Sequence, residues 1–208
     1  DVLGSRGLGD VYKRQEQVYV QRCLNTDKIC LFTAGGILHQ IKASDIPSGK
    51  LRDKGVPVEN LSKYDGRNDR ICLLTCAQAL KGKRLVFATR LAMVKQVSGE
   101  EFETNNRMVA ATKLQEGDEV QAVILTEKQE ATVVLQTTGG YFLRFPLDEI
   151  SLLKKASRGV RGIRLSKNEE LEQIYLLGEE PYSISYKDRE ISLSGMRITK
   201  RDAKGTKK

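Results

Sequence analysis

Short runs rich in Val, Ile, Leu, Phe and Thr recur along the chain, broken by clusters of Gly, Asp, Asn and Lys. They read VYVQRCL, KICLFT, ILHQIKA, RICLLTC, RLVFAT, MVKQV, EVQAVIL, ATVVLQT, YFLRF, LEQIYLL, YSISY and ISLSGMRI. β-branched and aromatic residues bounded by turn formers predict strands, and no stretch keeps a helical period over three turns. The pattern therefore predicts an all-β chain.

Three of these stretches match one another. KICLFTAGGILHQIKASDIP (Lys28 to Pro47), KRLVFATRLAMVKQVSGEEF (Lys83 to Phe102) and ATVVLQTTGGYFLRFPLDEI (Ala131 to Ile150) each predict a strand ending near Thr33, Thr89 or Thr137, a tight turn, and a second strand closing at Ile41, Val97 or Phe145. Gly35-Gly36 and Gly139-Gly140 supply the backbone freedom such a turn needs, and Gly139-Gly140 reads as turn chemistry and not a phosphate-cradling loop because no helix follows it. The middle copy has Arg90-Leu91 there, which predicts either a turn built differently or a degenerate hairpin. Basic connectors follow the hairpins: SGKLRDKGVPVENL (Ser48 to Leu61), ETNNRMVAATKL (Glu103 to Leu114), LKKASRGVRGIRL (Leu153 to Leu165) and a fourth, ITKRDAKGTKK. An acidic turn and another strand come next, as in LQEGDEVQAVIL and LSKNEELEQIYLL. The period of about 50 residues is in the range of propeller blades. The expected fold is a propeller-like repeat of four-stranded blades, incomplete, with about three blades and part of a fourth.

Composition narrows the function. The 208 residues carry 35 Lys and Arg against 27 Asp and Glu, a formal charge of +8, which favours a polyanionic partner. With no Trp and 6% aromatic residues, a surface that stacks single-stranded bases is poorly supplied. Cys23, Cys30, Cys72 and Cys76 form no CxxC pair, and the single His39 cannot complete a usual zinc set with them, so they read as reduced, mostly buried thiols. No run reaches the roughly 20 apolar residues of a membrane span, and no leader is recognisable, so a soluble, cytoplasmic protein is expected. Residues 1–15, DVLGSRGLGDVYKRQ, join no repeat and are set apart as an unassigned tail or sequence scar, leaving residues 16–208 as the repeat region.

The connectors hold the candidate chemistry. In ASRGVRGIRL (Ala156 to Leu165), Gly159 and Gly162 shape a turn and Arg158, Arg161 and Arg164 offer planar guanidinium groups to phosphate. Lys154 and Lys155 precede them. Lys50, Arg52 and Lys54 come from the first connector, Arg107 and Lys113 from the second, and Lys200, Arg201, Lys204 and Lys207 from the last. Arg90, Lys95 and Arg144, inside the hairpins, are weaker candidates. The plainer reading of each is a solvated charge facing a nearby carboxylate. His39 shares a strand face with Ile37 and Ile41 and reads as a structural histidine. Lys204-Gly205-Thr206 lacks the preceding glycine of a phosphate-binding loop. No nucleophile, base and orienting group come together, so catalysis by this chain is not expected.

The order of FTxxG hairpin, basic connector, GVxGIxL and acidic turn resembles the C-terminal repeats of the A subunit of bacterial type II topoisomerases, DNA gyrase and topoisomerase IV. NTDKICLFTAGGILHQIKASDIP is similar to one such repeat, RGVRGIRL to its connector and MRITKRDAKGTK to a final repeat of the topoisomerase IV-like branch. The resemblance implies a β-pinwheel, a propeller-like set of blades that exchange strands and whose basic outer surface wraps and bends double-stranded DNA. It implies as partners a dimer of the A-type chain and a B-type ATPase subunit. The catalytic tyrosine, ATP and Mg would then belong to other domains or to that ATPase, with no cofactor in this chain. The gyrase box, glutamine-arginine-arginine-glycine-glycine-lysine-glycine, is not reproduced by SGKLRDKG or KKASRGVRG, which points to the topoisomerase IV-like type; a further blade upstream would be the place for such a box. A basic propeller-like scaffold for acidic protein surfaces is the alternative from another class.

Overall fold

The structure, a computed structural model, describes residues 21–50, 53–127 and 131–208. The readings made for residues 1–15, for Val18 to Val20 and for Arg52 lie outside the described residues, and Gln21 to Leu24, the rest of that first run, form no strand. Three antiparallel hairpins lie at the centre of the architecture: β1 (Lys28–Thr33) with β2 (Ile37–Lys42), β4 (Arg84–Thr89) with β5 (Met93–Ser98), and β8 (Thr132–Thr137) with β9 (Tyr141–Pro146). The first strand of each is joined on its far side by the strand that follows its connector, β3 (Ile71–Cys76), β7 (Val120–Thr126) or β11 (Leu171–Leu177). A register shift recurs at the same point of all three pairings, opposite Thr33, Thr89 and Thr137. A one-turn helix, α1 (Ala77–Leu80), leads from β3 into β4.

The fourth strand of each four-stranded sheet comes from farther along the chain. β6 (Met108–Ala110), in the connector after the second hairpin, pairs with β2, and β10 (Val160–Arg161), after the third, pairs with β5. β14 (Thr206–Lys207) pairs with β9. Each blade is thus closed by a strand from the connector of the next unit, which interlocks neighbours as the pinwheel reading expects. The remaining hairpin, β12 (Ser183–Tyr186) with β13 (Arg189–Ser192), is the fourth unit. The backbone bond that closes each hairpin recurs there: Ala43, Gly99, Leu147 and Leu193 donate to the carbonyls of Asp27, Lys83, Ala131 and Tyr182. Among the described residues, three four-stranded sheets and one two-stranded sheet result.

The middle turn corrects the expectation from Arg90-Leu91. Ala92 takes the left-handed φ of 59° that Gly36 (75°) and Gly140 (79°) take in the other two copies, and its N–H donates to Thr89 O at 2.9 Å as theirs do to Thr33 and Thr137. All three are three-residue loops ending in a left-handed residue. The alanine is tolerated because Leu91 N–H is held by Asp118 Oδ1 at 2.9 Å and Ala92 is fully buried.

Apolar residues on both faces of the central strands explain why they read as continuous runs: each of the three sheets is covered on both sides. Cys30, Phe32 and Leu38 of the first blade meet Leu85, Phe87, Val97 and Phe102 of the second, with the Phe32 and Phe102 rings edge-on at 5.1 Å. Val86, Ala88 and Val94 meet Val133, Leu135, Leu143 and Phe145 in the same way, and Val134 and Phe142 meet Leu193 and the fourth hairpin. The outward face of the first blade, Ile29, Leu31 and Ile41, is covered by Val58 and Leu61 of its own connector. The apolar clusters join successive units among the described residues, giving an open arrangement.

Polar clasps follow the same step. Gln40 Nε2 donates to Phe102 O at 3.2 Å, Gln96 Nε2 to Leu147 O and Ile150 O at 3.1 and 2.8 Å, and Arg144 Nη1 to Ser194 O and Met196 O. Each closes one hairpin onto the 3-10 turn or loop that ends the next. Arg144 is therefore turned into the protein as an inter-blade clasp, which removes it from the surface candidates.

Candidate nucleic-acid interface

Strand exchange lays the connectors out in register. Ile37, Met93 and Tyr141 open the second strand of their hairpins and pair with Ala110, Arg161 and Lys207. Counting back along each closing strand, Arg107, Arg158 and Lys204 occupy one equivalent position, just before the strand, and all three side chains are exposed. Arg161 and Lys207 occupy the inner position, where the first blade has Ala110. A cation thus stands at one place on the edge strand of three successive sheets. In the first connector Lys54 precedes Gly55, which has a φ of 69°, as Arg158 precedes Gly159 at 99° and Lys204 precedes Gly205 at 80°. No closing strand is formed there among the described residues.

Glycine does different things within the third connector. A Cβ on Gly159 would stand 2.6 Å from Val94 O, and one on Gly162 2.5 Å from Leu135 Cδ1. Both positions let the closing strand lie against the sheet, and only Gly159 needs the left-handed region. Ile163, fully buried in the apolar cluster that joins the second and third blades, anchors the segment. Gly35 and Gly139 lie in the hairpin turns beside Gly36 and Gly140.

The cations differ in their freedom. Lys50, Lys54, Lys113, Lys154, Arg158 and Lys200 are exposed, with no side-chain hydrogen bond or ion pair among the described residues. Arg107 has a loose contact with Asp45 at 3.8 Å. Lys204 and Lys207 lie over the Tyr141 ring, 4.9 and 5.7 Å from its centroid. Arg161 is held bidentate by Asp202, at 2.5 and 3.0 Å, and Arg164 reaches the same carboxylate at 3.5 Å. The hydrogen bond from Arg161 and the charges of both arginines hold the Asp202 carboxyl below the usual carboxylate range. Lys155 donates to Glu101 O at 2.6 Å, and Arg201 to Glu149 O and Arg161 O at 3.2 and 2.5 Å, so both brace the connectors.

Two further candidates are internal or engaged. Arg90 bridges to Glu170 at 3.3 Å and donates to Gly117 O. Lys95 is buried and binds backbone carbonyls. His39 is also buried, 5% exposed, edge-on to Tyr64 at 5.7 Å, and desolvation lowers its pKa against the pull of Asp69. Of the cysteines only Cys30 and Cys76 are buried, and Cys23 is exposed. Burial pushes the Cys30 thiol up to about 12 and that of Cys72 to about 11, which keeps both protonated and unreactive. Asp202 and the inter-blade clasps carry no signal of their own in the sequence, because their partners are brought to them by the fold. No helix of the described residues is long and apolar enough to cross a membrane.

Known proteins place this geometry. The family model described as DNA gyrase C-terminal domain, beta-propeller, matches residues 27–66, 83–127 and 131–177. The DNA gyrase A protein of Mycoplasma genitalium is 29% identical over 190 residues, covering 89% of this chain and 22% of the relative. That of Mycoplasma pneumoniae is 30% identical over 191 residues with the same coverage. The chain therefore spans about a fifth of the length of these relatives. The C-terminal domain of DNA topoisomerase IV superposes with a TM-score of 0.79 at 21% identity, over 88% of this chain and 58% of that one. The Escherichia coli ParC C-terminal domain gives 0.75 at 18% identity, over 89% and 78%, and the DNA gyrase A C-terminal domain 0.66 at 19%, over 89% and 61%. With its three hairpins matched in order by the family model over more than half of its length, and its fold shared with these domains, the chain belongs to the DNA gyrase C-terminal domain, beta-propeller, family.

Proposed function

We propose that the chain binds double-stranded DNA through its phosphate backbone and bends it across successive blades, as the wrapping domain of the A-type chain of a type II topoisomerase. The observation that carries this reading is the recurrence of Arg107, Arg158 and Lys204 at one register position of three closing strands. Duplex DNA presents a charge about every 1.7 Å of axis, and spaced cations release its counterions without reading bases. Bending a site of about 20 to 30 base pairs by about 40 to 90° costs roughly 1 to 6 kcal/mol, so one connector does not suffice and a repeated one does. In the whole enzyme, a dimer of the A-type chain and a B-type ATPase in the bacterial cytoplasm would supply strand passage, ATP and Mg.

Binding to unrelated duplexes should be similar in strength, with log affinity falling against log salt by about 0.9 for every phosphate contacted. A slope near zero, or no duplex binding at low salt by a folded chain, would return the cations to the protein-scaffold reading.

Asp202 competes with phosphate for Arg161 and Arg164. Asp202→Asn removes the charge and keeps a residue suited to the left-handed φ of 64° at that position. The variant should bind duplex more tightly at low salt, and its salt slope should steepen by up to about 0.9 for each arginine released. An unchanged slope in a folded variant would take both arginines out of the interface.

A further inference from the structure

Lys95, in the middle of β5, is 1% exposed and forms no ion pair among the described residues. Its Nζ donates to Lys155 O at 2.7 Å and Ser157 O at 2.9 Å, with Ala111 O and Lys154 O farther off at 3.4 and 3.5 Å, and it stands 5.3 Å from the centre of the Phe87 ring. These carbonyls belong to two different connectors. Ser157 O also takes the Lys113 N–H at 3.3 Å and the Thr112 hydroxyl at 3.4 Å. The second and third connectors therefore cross at one carbonyl, with a buried ammonium beneath it. Register puts His39 and Leu143 at the position of Lys95 in the neighbouring blades, opposite Leu31 and Leu135 as Lys95 is opposite Phe87. Since leucine serves in the third blade, blade packing does not require a cation there.

A buried ammonium costs desolvation energy, which hydrogen bonds to carbonyls offset only when the geometry is held. What stands above this one is a group of exposed cations: Lys113 and Arg158 flank the shared carbonyl, and Lys154 begins the turn that Ser157 N–H closes at 3.1 Å. We propose that Lys95 is a positioning residue which pins the crossing of the two connectors, so that Lys113, Lys154 and Arg158 meet DNA phosphates as one cluster. The inference rests on the duplex-binding reading and names where its grip is concentrated.

Binding and protonation are linked in this arrangement. Burial lowers the Lys95 pKa to about 8, opposed by Glu101 of the 3-10 turn Gly99–Phe102. The charged groups around it are Glu101 from that turn, Lys113 from the second connector, and Lys154, Lys155 and Arg158 from the third. Phosphates arriving above the cluster favour the ammonium over the amine, so affinity should fall as pH rises through 8. Stability should move the other way. The folded value lies below the ordinary 10.5 of lysine, so the unfolded chain holds more protons between these two values, and stability rises with pH across that window. His39, with its pKa lowered from 6.5, is already neutral there.

The test uses the full chain and a mixed-sequence duplex, with Lys95→Met and Lys95→Leu as variants. For the unaltered chain, affinity should drop about 10-fold from about pH 7 to about pH 9.5, the effect of one unit of pKa change on binding. At the lower pH the variants should bind about 10-fold more weakly, with a pH profile that is flat over this range and faster amide exchange at Lys113. Folded variants with unchanged affinity, profile and exchange would overturn the proposal, and so would a flat profile in the unaltered chain, which decides the matter even if neither variant folds. Absence of duplex binding by the unaltered chain at low salt is a different result: it removes the duplex reading and the role of Lys95 with it.

Discussion

Replacing Lys113, Lys154 and Arg158 together with alanine is expected to weaken duplex binding on the order of 100-fold near 0.1 M salt and to lower the salt slope by about 2.7, the contribution of three phosphate contacts. Unrelated duplex sequences should lose affinity by the same factor, because phosphate contacts carry no sequence information. The three side chains are exposed and form no side-chain hydrogen bond or ion pair among the described residues, so the thermal midpoint should stay close to that of the unaltered chain. Titrations of both proteins at several salt concentrations give the slopes directly. An unchanged slope would move the interface away from the connector crossing and toward the Arg107 or Lys204 and Lys207 edges. The comparison with Arg161 and Arg164 is informative because those two already have Asp202 as a partner. Alanine there should cost less affinity than at the free cations.

Gly159→Val is expected to destabilise the chain by about 3 kcal/mol or more, since a left-handed φ strains a β-branched residue and the displacement of an edge strand adds to that. The Cβ would stand 2.6 Å from Val94 O, a backbone atom within the β4–β5 sheet that cannot swing aside. β10 would have to leave β5, uncovering that sheet edge and freeing Arg158 and Arg161 from their fixed positions. Gly55→Val is the matched control: φ is again positive, at 69°, but nothing lies within 4 Å of the added carbon. It should cost only the conformational share, about 1 to 3 kcal/mol at most. Urea unfolding midpoints of the two variants separate close approach from backbone strain. Equal losses would show that Gly159 matters for its φ alone. Met108 stands at the corresponding place in the closing strand of the first blade without a positive φ, whereas Gly205 stands there in β14 with a φ of 80° and its added Cβ 2.6 Å from Phe142 O, so the requirement for glycine is shared by β10 and β14 and absent from β6.

Hairpins were legible because everything that makes them is local. In Lys28 to Lys42 the two strands, the turn and the bond from Ala43 to Asp27 involve a continuous stretch, and a repeated turn ending in Gly36 or Gly140 marks the place. Ala92 shows the limit of that logic: the same backbone conformation is imposed on an alanine by its bond to Thr89 O and by Asp118 holding the Leu91 N–H beside it, and the letters Arg90-Leu91 conceal it. The RGVRGIRL segment announced basic chemistry, but its cations have unequal standing, because Asp202 comes from a later connector and is brought to Arg161 only when β14 and the loop before it settle on the third blade.

The alternation of apolar and turn residues along the chain, with its period and its basic connectors, determined an all-β repeat of hairpins and the segments in which cations accumulate. Pairing of β6, β10 and β14 with hairpins of the preceding unit, the burial of Lys95 and the inward turn of Arg144 against carbonyls, and the division between free and engaged cations were decided by tertiary structure. The physical reason is range: hairpin formation depends on neighbours in sequence, whereas strand exchange, desolvation and charge pairing depend on which distant segments share a surface once the blades have packed.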